Sequence, residues 1–134
     1  MKLQLKKFNK FTDPTGSLIP FYKKESLNNF NIKRFFFIHG KKKFKRADHA
    51  HRKCNQILIP ITGSISVNIF NKKKNKKTFT LSDKNKKYLI VPAMHFINIK
   101  FHQEKAVMLT LCDYKYDKNE YISDFNIFKN MSPK

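Results

Sequence analysis

The stretch "RADHAHRKCNQILIPITGS", from Arg46 to Ser64, carries the most structural information in this 134-residue chain. Two histidines, His49 and His51, are separated by one alanine. Because side chains on a β-strand alternate between its two faces, both imidazoles should point to the same side. The apolar run that follows ends at a Thr-Gly-Ser turn. The stretch is therefore typical of paired strands, with two histidines in one shared environment.

Alternation with a period of two recurs along the chain and predicts an all-β protein. In "SISVNIF" (64–70) three apolar side chains share one face, and "HFINIKF" (95–101) alternates in the same way. Further strands rich in Phe, Ile, Val and Leu are predicted over Lys33–Ile38, Asn55–Ile61, Tyr88–Val91 and Ala106–Cys112. Turn residues separate the strands at "DPTGS" (13–17), at "TGS" (62–64) and at "NKKKNKK" (71–77), which we interpret as a solvated hairpin tip.

Many short strands without βαβ alternation favour a β-sandwich or small antiparallel β-barrel over a parallel sheet. The tail from Tyr116 to Lys129 is predicted to be helical or irregular. We find no internal repeat and expect a single domain over residues 1–134. In such a fold the histidine pair would lie in a strand-lined cavity, which is where small barrels bind their ligands.

The net charge of +20 would ordinarily suggest a nucleic-acid partner. However, the cations are 26 lysines and only Arg34, Arg46 and Arg52, scattered among many Asn, Ile and Phe. This pattern is typical of AT-rich codon usage rather than of a phosphate-binding face, which relies on arginine. We therefore expect no nucleic-acid partner, although the positive field would attract a small anion.

Two further features of the composition bear on the compartment. Cys54 and Cys112 show no CxxC spacing, which favours a reduced protein without a disulfide framework. No segment has the apolar length of a signal peptide or of a membrane span. The sequence predicts a cytoplasmic protein without a membrane partner.

Three interpretations of His49 and His51 compete: an exposed strand edge, a metal site, or a proton-transfer pair. The spacing in "HAHRKCNQILIPITG" resembles the first metal-binding motif of the cupins, but Gln56 stands where that motif has a carboxylate. A neutral amide is a weaker ligand, and a third imidazole would have to come from His95. Two imidazoles that titrate near neutral pH can instead accept and donate protons. We therefore favour acid–base chemistry and expect no metal.

Four segments together resemble the bacterial dTDP-sugar 3,4-ketoisomerases, a metal-free branch of the cupins. They are "FTDPTGSLIPF", "NIKRFFFIHG", "KRADHAHRKCNQILIPITGSISV" and "CDYKYDKNEYISDFNIF", in this order. The resemblance covers nearly the whole chain and implies an all-β, cupin-like jelly roll or small antiparallel β-barrel. It implies an isomerase that converts dTDP-4-keto-6-deoxy-D-glucose to a dTDP-3-keto-6-deoxyhexose through an enediol(ate), without a cofactor. The product would serve the synthesis of 3-amino-3,6-dideoxy sugars for lipopolysaccharide or O-antigen.

The resemblance also implies roles for individual residues. His49 would remove the proton from sugar carbon 3, and His51 would move a proton between the two oxygens. The substrate-binding residues would be Arg46 and Arg34 at the diphosphate, Thr15 and His95 near the sugar, and Gln56. Relatives often have arginine at the position of Thr15, whereas His95 resembles the relatives that form the galacto product, so a galacto product is weakly favoured. The family also implies a homodimer.

Two alternatives stay open at this stage. A nucleotide-sugar 3,5-epimerase also uses a cupin barrel, but it would need a tyrosine where this chain has only phenylalanine at positions 35 to 37. A non-catalytic basic module that binds sugar or nucleic acid would make the two histidines vestigial. His39 and His102 have no motif partner and are expected at the surface.

Overall fold

The computed structural model describes residues 1–22, 29–73 and 75–131. A 3₁₀ turn spans Lys118–Glu120 and one helix, α1, spans Phe125–Asn130. The strands of this part of the chain are β1 Gln4–Lys7, β2 Phe11–Asp13, β3 Gly16–Leu18, β4 Arg34–Gly40, β5 Lys45–His51, β6 Gln56–Thr62, β7 Ser64–Phe70, β8 Lys76–Ser82, β9 Lys87–Val91, β10 Phe96–Phe101, β11 Ala106–Cys112 and β12 Tyr121–Ile122.

The strands predicted from alternation are all present. Those over 64–70 and 106–112 have the predicted bounds, and the other four differ by one or two residues at an end. "NKKKNKK" joins β7 to β8 as a hairpin, although residue 74 lies outside the described residues. The "DPTGS" turn joins β2 to β3. Alternation was sufficient for β7, which has one apolar face, whereas β6 and β9 are continuous apolar runs that are buried on both faces.

Ten of these strands form two five-stranded antiparallel sheets, in the orders β1-β9-β6-β11-β4 and β12-β5-β10-β7-β8, and β2 and β3 form a separate two-stranded sheet. The main core lies between the two five-stranded sheets and draws apolar side chains from six strands: Leu58, Ile65, Val67, Ile69, Leu81, Leu89, Val91, Ile97, Ile99, Phe101, Ala106 and Met108. The expected all-β, cupin-like architecture is confirmed, as two facing open sheets rather than one closed barrel.

The C-terminal tail covers the outer face of the second sheet. Asp124 caps α1 by accepting hydrogen bonds from the backbone of Asn126 and Ile127. This places Phe128 in a buried cluster with Ala50 and Phe96. The prediction of a helical or irregular tail missed one element, strand β12, which pairs with β5 so that Tyr121 lies opposite His51.

Strand β5 contains a β-bulge at Ala47 and Asp48, directly before the histidine pair. Ile97 of β10 lies opposite His49, but the next residue, Asn98, lies opposite Ala47. Asp48 is therefore the extra residue. The bulge needs left-handed backbone at two non-glycine positions, with φ of 70° at Ala47 and 57° at Asp48. Bulges of this kind bend a strand and redirect its side chains, and they are common next to active sites.

The β2–β3 hairpin is the most exposed part of the described fold. Each of its strand residues is exposed, including the apolar side chains of Phe11 (61%) and Leu18 (66%). No helix in the described part of the chain is long and apolar enough to cross a membrane.

Candidate active site

A cavity of about 330 Å³ opens between the two sheets. It brings three predicted site residues together: Arg46, His49 and Gln56. Tyr121 from the C-terminal tail also lines it. The remaining lining residues come from five strands: Phe36, Phe37, Ile38, His39, Ala47, Leu58, Ile97, Ile99, Met108 and Thr110. Its volume lies at the lower end of the range for small-molecule sites.

The two imidazoles face each other as the strand geometry predicts. The Nε2 atoms of His49 and His51 are 3.1 Å apart, and the rings meet edge to face with 4.8 Å between their centroids. His51 is buried, whereas His49 is partly exposed to the cavity. The pair is thus within hydrogen-bond distance, so a proton can pass directly from one ring to the other.

Glu120 contacts Nδ1 of His51, the ring nitrogen that does not face His49. Its Oε1 atom hydrogen-bonds His51 Nδ1, and its Oε2 atom accepts from the backbone N–H groups of Lys53 (3.0 Å) and Cys54 (3.4 Å). Sequence reasoning missed this residue, although it lies inside the tail motif "NEYISDF". The missing information was the pairing of β12 with β5, which brings residues 69 positions apart into contact.

Burial shapes the protonation of the histidine pair. Burial and the neighbouring His51 lower the pKa of His49 to about 4. Burial also lowers the pKa of His51, while the hydrogen bond and charge of Glu120 act against that shift. The two imidazoles therefore do not both carry a positive charge near neutral pH.

Arg46 reaches the cavity because of the β-bulge. In a regular strand, residues three positions apart point to opposite faces. The extra residue Asp48 changes this, so Arg46 lies opposite Ile99 while His49 lies opposite Ile97, and all four residues line the cavity. A guanidinium is thus placed beside the histidine pair, and a guanidinium can bind phosphate oxygens with two parallel hydrogen bonds.

Arg34 does not line this cavity but contacts a residue that does. Its Nη2 atom donates to the Tyr121 hydroxyl at 3.0 Å, and its Nε atom donates to the Tyr114 carbonyl at 3.3 Å. The guanidinium also lies over the rings of Phe36 and Tyr116. Tyr121 in turn packs against both imidazoles, with centroid distances of 4.9 Å to His49 and 4.4 Å to His51. Arg34 therefore orients a ring that touches the pair.

Three polar side chains lie at adjacent inward positions of β6 and β11. The Gln56 amide donates to the Cys112 thiol at 3.6 Å, and the thiol's hydrogen bond with Cys54 lowers the pKa of Cys112 to about 7. Nearby, the buried hydroxyl of Thr110 has no hydrogen-bond partner within the described part of the chain. Buried polar groups are usually paired, so this wall can still accept a polar ligand atom or a water.

Two predicted site residues lie away from the histidine pair in the single chain. Thr15 is in the β2–β3 turn, where its backbone N–H and its hydroxyl both donate to the Asp13 carboxylate. His95 hydrogen-bonds the backbone carbonyls of Pro92 and Ala93 and lines a different cavity. The third imidazole that a cupin metal site would need is therefore not beside the other two. His39 and His102 are exposed, as predicted.

Among the described residues, His51, Cys54 and Glu120 form a donor set whose ligand atoms lie within 4.8 Å of one another, as a metal site would require. Both Glu120 oxygens and His51 Nδ1 already have hydrogen-bond partners. The hydrogen bond with Cys112 and burial raise the pKa of the Cys54 thiol. Since a cysteine binds a metal as the thiolate, this set does not fit a bound cation.

The family model of FdtA, described as "WxcM-like, C-terminal", matches residues 1–133. The chain belongs to this family. It is 30% identical over 91% of its length to the TDP-4-oxo-6-deoxy-alpha-D-glucose-3,4-oxoisomerase of Aneurinibacillus thermoaerophilus, 86% of which is covered. The expected resemblance to the sugar 3,4-ketoisomerases is confirmed, and the chain is an enzyme of that kind.

Solved structures agree with this assignment. A 3,4-ketoisomerase from Helicobacter canadensis superposes with a TM-score of 0.86 at 29% identity, over 96% of each chain. The sugar 3,4-ketoisomerase QdtA from Thermoanaerobacterium thermosaccharolyticum, solved in complex with TDP, gives a TM-score of 0.86 at 27% identity. That match covers 96% of this chain and 92% of QdtA. The likeness therefore extends over the cavity as well as the sheets.

Proposed function

We propose that this enzyme converts dTDP-4-keto-6-deoxy-D-glucose to a dTDP-3-keto-6-deoxyhexose. The observation that carries the proposal is the pair of facing Nε2 atoms, 3.1 Å apart, at a cavity that also contains Arg46. A 3,4-ketoisomerisation takes a proton from carbon 3 and returns one to carbon 4. Two imidazoles that exchange a proton with each other suit this chemistry. The substrate named for the Aneurinibacillus relative is consistent with it.

The roles follow the sequence expectation. His49, which is open to the cavity, removes the carbon 3 proton, and His51 moves a proton between the two oxygens. Arg46 binds the diphosphate, whose two negative charges suit a guanidinium. Gln56 and the unpaired Thr110 hydroxyl offer hydrogen bonds to the sugar. Arg34 acts on this site through Tyr121.

The test is proton exchange measured by NMR in D₂O with the purified, chelator-treated protein. We expect deuterium at carbon 3 of the 4-keto substrate and at carbon 4 of the 3-keto product. Deuterium at carbon 5 would instead support a 3,5-epimerase. An absence of exchange, together with salt-sensitive binding to nucleic acid, would support the non-catalytic module. Loss of activity after chelation that added metal restores would contradict the metal-free mechanism.

We further propose the galacto configuration at carbon 4 and a place in 3-amino-3,6-dideoxy sugar synthesis. His95 supports the galacto product by resemblance, whereas Thr15 does not. The proton–proton couplings at carbon 4 in the product spectrum distinguish galacto from gluco. Conversion of the product by a 3-aminotransferase would support the pathway, and rejection would contradict it.

We also propose that the protein is a homodimer that acts in the cytoplasm. The exposed β2–β3 hairpin and the exposed Phe35 (62%) and Phe37 (53%) leave apolar surface that a second copy could cover. Both cysteines are free, as expected in a reducing compartment. Light scattering coupled to size exclusion should give a mass near 32 kDa, twice the 16.0 kDa of one chain. Cell fractionation would test the compartment.

A further inference from the structure

Glu120 is the only buried acidic side chain among the described residues, with 4% of its surface exposed. The roles proposed above do not use it. Removing a carboxylate from water costs several kcal/mol unless hydrogen bonds compensate. The compensation is complete here, because one oxygen accepts two backbone N–H groups and the other meets His51 Nδ1. The site therefore contains a carboxylate group that is held in contact with Nδ1 of His51.

This arrangement determines which nitrogen of His51 carries hydrogen. The backbone donors of Lys53 and Cys54 fix the orientation of the carboxylate, and an ionised carboxylate can only accept hydrogen bonds. His51 Nδ1 must therefore be the donor. Because a neutral imidazole carries one N–H, His51 Nε2 is left with its lone pair, which points at His49 Nε2.

We propose that Glu120 is a positioning residue that keeps the His51 hydrogen on Nδ1 and so leaves His51 Nε2 free to accept a proton from His49 Nε2. The other ring nitrogen of His49 is hydrogen-bonded to the Ala47 backbone, so a substrate proton that His49 takes up goes to Nε2 and is shared with His51 Nε2. The pair is then a cation that the Glu120 carboxylate offsets. When that proton returns to the neighbouring substrate atom, the pair is neutral again.

The low pKa of His49 agrees with a histidine pair that carries no more than one extra proton at a time. Burial and the neighbouring His51 hold the pKa of His49 at about 4, so a second proton is excluded near neutral pH. A one-proton carrier suits a reaction in which the proton that leaves one carbon is replaced at the next. The inference rests on the proposed ketoisomerase reaction for its catalytic meaning. The position of the hydrogen on His51 does not depend on that reaction.

Glu120→Gln tests the role with almost no change of shape. The backbone N–H groups of Lys53 and Cys54 still need an acceptor, so the amide oxygen should turn toward them and the amide NH₂ toward His51. His51 Nδ1 must then accept, and its hydrogen moves to Nε2, where it blocks transfer of a proton from His49 Nε2. Glu104→Gln is the matched control, because Glu104 is exposed and remote from the cavity.

Two measurements follow the substitution. Nitrogen-15 NMR of the histidine rings at neutral pH should show hydrogen on Nδ1 of His51 in the wild type and on Nε2 in Glu120→Gln. In parallel, kcat should fall about 10³- to 10⁴-fold while KM stays within about threefold, as when the carboxylate that orients a catalytic histidine is neutralised. Glu120→Asp retains the charge and should recover part of kcat. Glu104→Gln should match the wild type in both measurements.

The proposal is overturned if Glu120→Gln lowers the melting temperature but leaves kcat and the His51 hydrogen unchanged, because the carboxylate would then only support the tail. It is equally overturned if wild-type His51 carries its hydrogen on Nε2. That spectrum needs no substitution, so it tests the proposal even if Glu120→Gln does not fold. A wild type that isomerises no keto-sugar nucleotide contradicts the proposed function, while the spectrum still tests Glu120.

Discussion

Strand β5 and the β2–β3 hairpin both carry residues expected to meet the sugar, and the two regions are held in opposite ways. In β5, His51 is buried and both of its ring nitrogens have partners. In the hairpin every residue is exposed, and the hydrogen bonds of Thr15 go to Asp13 of the same turn. A group that transfers protons needs a fixed geometry. A residue that only influences which face of the sugar is protonated needs to contact the sugar, and an exposed hairpin can do that.

The largest expected effect comes from the pair itself. His49→Asn and His51→Asn should each lower kcat about 10²- to 10⁴-fold, because each removes one end of the proton path. The double variant should be no slower than the slower single variant, since the two rings act as one unit. Single-turnover rates followed by NMR provide the measurement. Losses that multiply would show that the imidazoles act independently.

The second prediction concerns stability as a function of pH. Burial and the neighbouring imidazole lower the pKa of His49 to about 4, whereas an unfolded histidine titrates near 6.5. Between these values the unfolded chain binds more protons, so the free energy of unfolding should fall as the pH drops from 6.5 to 4. The contribution of His49 should reach about 3 kcal/mol.

Urea unfolding of the wild type and of His49→Asn at pH 7 and pH 4.5 separates this contribution from that of the carboxylates. The wild type should lose more stability than the variant over this interval. Equal losses in the two proteins would indicate that His49 titrates normally. No comparable difference is expected between the wild type and Thr15→Ala, because residue 15 does not titrate in either protein.

A third prediction concerns the hydrogen bond between Arg34 and Tyr121, next to the histidine pair of β5. Arg34→Lys and Tyr121→Phe both remove the hydrogen bond that joins the guanidinium to the phenol ring at the cavity wall. Each should lower kcat roughly tenfold, and a double-mutant cycle should give a coupling energy of about 1–2 kcal/mol. If Arg34 binds the diphosphate directly, KM should rise in Arg34→Lys alone and the coupling should vanish.

The smallest effect is expected in the hairpin. Thr15→Ala should change the free energy of unfolding by less than about 0.5 kcal/mol, because exposed side chains away from the core contribute little. If the hairpin acts on the sugar, the same variant should change KM or the ratio of products at carbon 4. Product NMR and thermal melting together distinguish these outcomes. A large fall in melting temperature would mean that the hairpin packs more tightly than its exposure indicates.

The sequence predicted the features that depend on a local pattern of residues, namely the strands and the shared side of the two histidines. Strands such as β7 and β11 follow from side-chain alternation, and the same alternation places His49 and His51 on one side. It could not predict Glu120, because that contact depends on the pairing of a two-residue strand in the tail with β5. The resemblance placed His95 near the sugar, whereas His95 lines a different cavity in the single chain, because its position depends on the packing of distant strands.

The bulge at Ala47 and Asp48 sets how Arg46 is placed relative to His49. Arg46 and His49 are three positions apart, and they share a face because Asp48 has no partner in the ladder. Deleting Asp48 would leave Arg46 two positions before His49 and still opposite Ile99, so regular alternation would keep both side chains on the cavity face. The extra residue therefore sets the bend of the strand between the guanidinium and the imidazole, and a frame-preserving deletion would change that bend without moving either group to the outer face.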